Sequence, residues 1–136
     1  MKLVIIMDVR QINIITLAYL GDSVYEVYIR KHLINKGIAK VDELQKKAIN
    51  YVSAKSQAKI LNFLIENNYL FDNELDIIKR GRNYNRDTHP KNTDIITYKI
   101  STGFEALIGY LFFNNDIERL EKIINYILEE YDEENN

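Results

Sequence analysis

Apolar residues return every third or fourth position along most of this 136-residue chain, a spacing that predicts helices and not strands. The first run extends from about Ile14 to Ile34. In it Leu17, Leu20, Val24, Val27, Tyr28 and Leu33 share a helical period, Asn13 offers an N-cap and Gly37 a stop. A second helix is expected from Val41 or Asp42 to about Val52. Ser53 can cap a third, Ala54 to Asn67, with Ala58, Ile60, Leu61, Leu64 and Ile65 as its apolar positions. A short fourth follows from about Asp72 to Lys79, and a fifth from about Asp94 to Phe113. The last, Asp116 to about Tyr131, places Ile117, Leu120, Ile123, Ile124, Ile127 and Leu128 on one face. No internal repeat, no useful strand alternation and no linker interrupt the series. The expectation is therefore an all-α helical bundle in a single domain, residues 1–136, with a core over about 9–131 and an acidic end at 132–136.

The helical period lapses only between Arg80 and Asn92, a stretch that holds the only proline. A loop of roughly a dozen residues inside a compact domain is usually functional or disordered. Composition agrees with helices: one Pro and five Gly leave few turns for a β protein. There is no cysteine, which removes disulfides and any Cys-ligated zinc or iron–sulfur site and fits a reducing compartment. The apolar start Leu3-Val-Ile-Ile-Met7 is too short to span a bilayer, is ended by Asp8 and Arg10, and lacks a cleavage site. It reads as a buried or frayed segment.

A formal net charge of −2 argues against a polyanionic ligand until its distribution is considered. Glu129, Glu130, Asp132, Glu133 and Glu134 hold five of the acids, and the remainder of the chain stands at +3 without them. From Lys79 to Lys91 the loop carries five basic residues, Lys79, Arg80, Arg82, Arg86 and Lys91, against Asp87 alone. Lys46, Lys47, Lys55, Ser56 and Gln57 make a second polar, basic stretch. Either is also accounted for by a solvated charged surface.

Two acids lie within apolar surroundings. Asp22 sits in Leu17-Ala-Tyr-Leu-Gly-Asp-Ser-Val-Tyr-Glu26, where Ala18, Asp22 and Glu26 form an i, i+4 stripe. Gly21 in mid-helix costs about 1 kcal/mol relative to Ala, and the close approach of a neighbouring backbone would account for it. Glu105 sits in Ser101-Thr-Gly-Phe-Glu-Ala-Leu-Ile-Gly109. One carboxylate from each of two helices suits a hard divalent cation, because Mg²⁺ takes one or two carboxylates and completes its shell with water and phosphate. On spacing alone, partly exposed acids or a structural ion pair explain the same two residues equally well. His32 and His89 show no metal-ligand spacing, and the ten tyrosines suit a core or a subunit seam better than base stacking.

Leu17-Ala-Tyr-Leu-Gly-Asp-Ser23 resembles the signature of the ribonuclease III family, and Phe104-Glu-Ala-Leu-Ile-Gly109 resembles its second acidic motif. Val52-Ser-Ala-Lys-Ser-Gln-Ala58, Lys79-Arg-Gly-Arg-Asn83 and Pro90-Lys-Asn-Thr-Asp94 with Thr97-Tyr98 are similar to the Mini-ribonuclease III branch. That branch lacks a double-stranded-RNA-binding domain, and none follows here. The resemblance covers the chain from about Asn13 to the last helix. Ala18 and Thr102 stand where ordinary ribonuclease III carries two further acids, and Glu43 matches a third only loosely.

The resemblance implies an endoribonuclease for double-stranded RNA, dependent on Mg²⁺ with Mn²⁺ as a substitute, in which Asp22 and Glu105 are both the catalytic and the metal-binding residues. Asp22 would ligate the metal, and Glu105 would ligate it or hold its water. The metal would polarise a phosphoryl oxygen and activate water for in-line attack. It further implies RNA contacts from Lys46, Lys47, Lys55, Ser56, Gln57, Arg80, Arg82, Asn83, Arg86, Lys91 and Thr93. Further implications are maturation of the large-subunit (23S) ribosomal RNA precursor in the cytoplasm, a ribosomal protein or the assembling large subunit as further partners, and no membrane association. A duplex presents two antiparallel strands, so a twofold homodimer would supply one site per strand, with Tyr19 and Leu20 as its interface. Two other readings stand beside this one. A ribonuclease III-like dimer could hold ribosomal RNA without cutting it, though such a protein has no need of both Asp22 and Glu105. A helical interaction protein with no RNA role leaves the basic loop unexplained.

Overall fold

The computed structural model describes residues 7–85, 91 and 93–131. Among them six α-helices follow a 3₁₀ turn at Val9–Gln11 and precede a π-helical turn at Ile127–Tyr131, with no strand. The helices are α1 (Ile14–Asn35), α2 (Val41–Val52), α3 (Ala54–Glu66), α4 (Asp72–Arg82), α5 (Ile95–Phe113) and α6 (Ile117–Tyr126).

Asn13, Ser53 and Gly37 end helices as expected, and Asp94 caps another. The Asn13 side chain accepts from the Ile15 amide at 2.8 Å, Ser53 from the Ser56 amide at 3.1 Å, and Asp94 from the Thr97 amide at 2.8 Å. Gly37, at φ +93°, follows the end of α1. Two boundaries differ from expectation. α4 runs on through Gly81 to Arg82, and α6 yields to the π turn after Tyr126. The apolar start at residues 3–6 and the acidic end at 132–136 lie outside the described residues, as do Arg86 and His89.

α5 is the central strut, packed against α1, α3, α4 and α6. From Ser101 to Gly109 every residue is buried except Glu105, which is half-buried. Phe104, Ala106, Leu107 and Ile108 are fully buried, as expected for a helix surrounded by others. The main core adds Tyr25 and Ile29 of α1, Ile60 and Leu64 of α3, and Leu120 and Ile123 of α6. A second cluster under the amino-terminal turn joins Val9, Ile14, Leu17 and Ala18 to Ile77 and Ala106. Val27 and Ile65, which share the period of their helices, are 65% and 42% exposed, so the apolar period overstates the inward face there.

Away from α5, Arg119 of α6 holds Glu74 of α4. The guanidinium Nε and Nη2 donate to the two carboxylate oxygens at 2.8 and 2.9 Å, and Nη2 also donates to the Tyr69 carbonyl at 2.7 Å. Glu74 Oε1 accepts from the Phe71 amide as well, at 2.8 Å. The Arg119 guanidinium carbon lies 4.0 Å from the Phe71 ring centroid and 4.9 Å from that of Tyr69. No helix among the described residues is long and apolar enough to cross a membrane.

Candidate active site

The site is built where α1 crosses α5. A Cβ placed on Gly21 would stand 1.8 Å from the Glu105 carbonyl oxygen and 2.7 Å from the Gly109 amide nitrogen. One placed on Gly109 would stand 1.8 Å from the Leu17 carbonyl oxygen. The two backbones therefore touch, and only glycine permits that contact. This close approach sets the Gly21 backbone against that of Glu105, and Asp22 follows Gly21 directly. Asp22 is exposed and Glu105 half-buried, so the helix crossing brings two acid-bearing positions side by side at the edge of the core.

The neighbours explain why these two acids stand alone. Ala18, one turn before Asp22, is 5% exposed and packs in the second apolar cluster. Thr102, one turn before Glu105, is 3% exposed, and its hydroxyl donates to the Tyr98 carbonyl at 3.0 Å. In this packing a carboxylate at either place would have to give up its hydration. Glu26, the third member of the stripe, is paired with Arg30 at 3.0 Å. Glu43 lies exposed in the first turn of α2, where a negative charge favours the helix end.

The donor set fits a hard divalent cation. Two carboxylates, one open to water, leave the remaining positions of an octahedral shell to water and phosphate. Among the described residues no group of three or more His, Cys, Asp or Glu side chains gathers as a closed cage would require.

The expected RNA-contacting residues fall into separate groups. Lys46 and Lys47 are exposed on α2, and Lys55 is exposed on α3. Arg80 and Arg82 are exposed in the last turn of α4, with Asn83 just beyond it, and Lys91 is exposed. Thr93 is half-buried. Gly81 packs against Gly103 of α5; a Cβ placed on Gly81 would stand only 3.0 Å from the Gly103 Cα. The end of α4 that bears the arginines is thereby fixed to the central strut. Ser56 is half-buried, and its hydroxyl donates to the Ile49 carbonyl at 3.1 Å and accepts from Ser53 at 2.8 Å. Gln57 departs most from the expectation of an RNA contact. It is 1% exposed, and its amide turns inward to Glu105. Tyr19 stands 81% exposed on the outer face of α1, whereas Leu20 is half-buried against the main core.

Comparison with known proteins identifies the family. Residues 15–116 match the family model of the ribonuclease III domain. The chain is 48% identical over 122 residues to a Mini-ribonuclease 3 of Streptococcus pneumoniae, covering 90% of this chain and 95% of the relative. It is 42% identical over 128 residues to that of Enterococcus faecalis, covering 94% and 97% of the two chains. For the Staphylococcus aureus relative of the same name the figures are 43% over 120 residues, 88% and 90%. A crystal structure of a Fusobacterium nucleatum protein superposes with a TM-score of 0.78 at 34% identity, covering 89% of this chain and 97% of that one.

Proposed function

The chain belongs to the ribonuclease III family, in its Mini-ribonuclease 3 branch, and we propose that Asp22 and Glu105 are the residues with which it hydrolyses phosphodiesters in double-stranded RNA. It is a double-strand-specific endoribonuclease. The observation that supports this assignment is the glycine-to-backbone contact of α1 with α5, in which Gly21, the neighbour of Asp22 in the chain, lies against the backbone of Glu105. Catalytic groups held on packed helices keep their geometry better than groups on loops.

In this proposal Asp22 and Glu105 hold one Mg²⁺, for which Mn²⁺ can substitute. The cation supplies, when bound, positive charge that stabilises the negative charge developing on the phosphoryl oxygens. Asp22, exposed, meets the substrate side of the site. Glu105, half-buried on α5, would supply the inner carboxylate. Arg80, Arg82, Asn83 and Lys91, together with Arg86, grip the phosphates of one flank of the duplex. Lys46, Lys47 and Lys55 grip another. A-form RNA hides its base edges in a narrow groove, so such contacts read shape and charge and not sequence. Gln57 is left out of that surface because it is buried.

Two strands need two cuts, and a twofold dimer provides them. The outward-facing Tyr19 supports a homodimer seam along α1. The proposed substrate is the large-subunit (23S) ribosomal RNA precursor, met in the cytoplasm and within the assembling subunit.

The test is incubation with a long, perfectly paired RNA in Mg²⁺, beside EDTA and Asp22→Asn controls. Cleavage that is lost with either control supports the site. Tight binding without cleavage in Mg²⁺ would instead support a protein that only holds RNA.

A further inference from the structure

Gln57 lies in the first turn of α3, between the exposed Lys55 and Lys59, yet it is 1% exposed. Its Nε2 donates to two acceptors, the Val52 carbonyl at 3.2 Å and Glu105 Oε2 at 3.5 Å. Because both partners accept only, they fix the orientation of the amide. Its other end, Oε1, is buried with no hydrogen-bond partner among the described residues. A buried amide is expensive to leave part-satisfied, so an acceptor in that state beside a candidate cation ligand asks for a function.

We propose that Gln57 is a positioning residue, which holds the Glu105 carboxylate in the orientation that receives the cation. The proposal rests on the reading of Asp22 and Glu105 as cation ligands. The chemistry of the donor favours it. A neutral amide can orient a carboxylate without cancelling its charge, whereas a lysine or arginine at the same place would compete with the cation. The anchor favours it as well. Through the Val52 carbonyl the amide is tied to the end of α2, so the α2–α3 corner braces a side chain of α5. The orphaned Oε1 adds an acceptor beside the carboxylate, suited to a proton of water held there.

Mn²⁺ titration followed by the electron paramagnetic resonance of the free ion tests this without reference to turnover. Gln57→Met keeps the length of the side chain and removes both its donor and its acceptor. Gln57→Ala, which cannot clash, is the second variant. The expected result is Mn²⁺ binding weakened about tenfold or more in both. Cleavage should be slowed at low Mn²⁺ and restored at high Mn²⁺, with KM for RNA unchanged. A purely structural glutamine would lower the melting temperature and leave the Mn²⁺ affinity of the folded protein intact, and that result would overturn the proposal. Failure of both variants to fold would overturn it too, because the amide would then be a requirement of the α2–α3 corner. Asp22→Asn and Glu105→Gln run alongside. If these two leave Mn²⁺ binding and cleavage untouched, the assignment of the site itself is at fault, and the role of Gln57 falls with it.

Discussion

Gly21→Ala puts the crossing of α1 and α5 to a direct test. The added methyl carbon would lie 1.8 Å from the Glu105 carbonyl oxygen. Carbon and oxygen settle at about 3.4 Å, so the helices must part by roughly 1.6 Å. The obstacle is backbone on a central helix, not the end of a flexible side chain, and it cannot turn aside. Overpacking of this kind costs about 1–3 kcal/mol, sometimes more. Alanine returns at most about 1 kcal/mol in helix propensity. A net loss near 2 kcal/mol lowers the melting temperature by roughly 5–10 °C in a domain of this size. Catalysis should suffer more than stability, since a misplacement of about 1 Å can cost about a hundredfold in rate. The assay is thermal unfolding by circular dichroism, with single-turnover cleavage of paired RNA measured well below the variant's own transition. Gly37→Ala is the control. Gly37 has open space around it but a φ of +93°, so alanine there should cost about 1 kcal/mol by backbone strain alone and leave the cleavage rate unchanged. A Gly21→Ala protein that melts and cleaves like the parent would refute the claim that the site depends on backbone contact between the two helices.

Other expectations follow from the same structure. Arg119→Met strips Glu74, which is 1% exposed, of its charged partner; unfolding should become easier by about 3 kcal/mol, with cleavage at permissive temperature unaffected, and an unchanged denaturant midpoint would contradict it. Replacing Arg80 and Arg82 with Gln should weaken RNA binding evenly across sequences and reduce the slope of log K against log salt by about two; an unchanged slope would remove these arginines from the phosphate contacts. Asp94 caps α5, and its hydrogen bonds to the Thr97 amide and hydroxyl hold its carboxyl below the ordinary value of 3.8. A lowered folded-state pKa stabilises above the ordinary value, and that stabilisation disappears as pH falls through the folded-state value. The melting temperature of Asp94→Ala should therefore lie below the parent's at neutral pH and converge with it in acid; a gap that persists unchanged in acid would rule out the carboxylate as the source.

The sequence made most of the architecture legible because each helix announces itself locally. Asn13 and Ser53 are caps in the sequence and caps in the structure, and Gly21 in mid-helix correctly signalled a neighbouring backbone. The misjudged features depend on partners distant in the chain. Gly81 looks like a helix breaker beside a basic, polar stretch, but Gly103 of α5 packs against it, and α4 continues. Gln57 looks like surface beside Lys55 and Ser56; it is buried and meets Glu105, 48 residues away, which no local pattern announces. Arg119 and Glu74, 45 residues apart, carry no local signal of the ion pair they form. Val27 has the right period and the wrong side, because α1 buries less of its circumference than its apolar content suggests.

The small number of acids at the site and the rigidity of the site have one cause. α5 must be buried nearly all round to serve as the strut of six helices, and from Ser101 to Gly109 only Glu105 escapes burial. The crossing through Gly21 and Gly109 brings α1 close enough to seal Ala18 beside it. Carboxylates at 18 or 102 would lie within apolar packing, where each needs a partner or a proton. Only the rim of the crossing, at Asp22 and Glu105, combines a fixed backbone with access to water. A two-carboxylate site leaves more of a cation's shell to water and phosphate than a four-carboxylate site does. On the proposed reading of Asp22 and Glu105 as cation ligands, the tightness that makes the core stable thus also leaves cation retention more dependent on the substrate's own phosphates and on how firmly Glu105 is held.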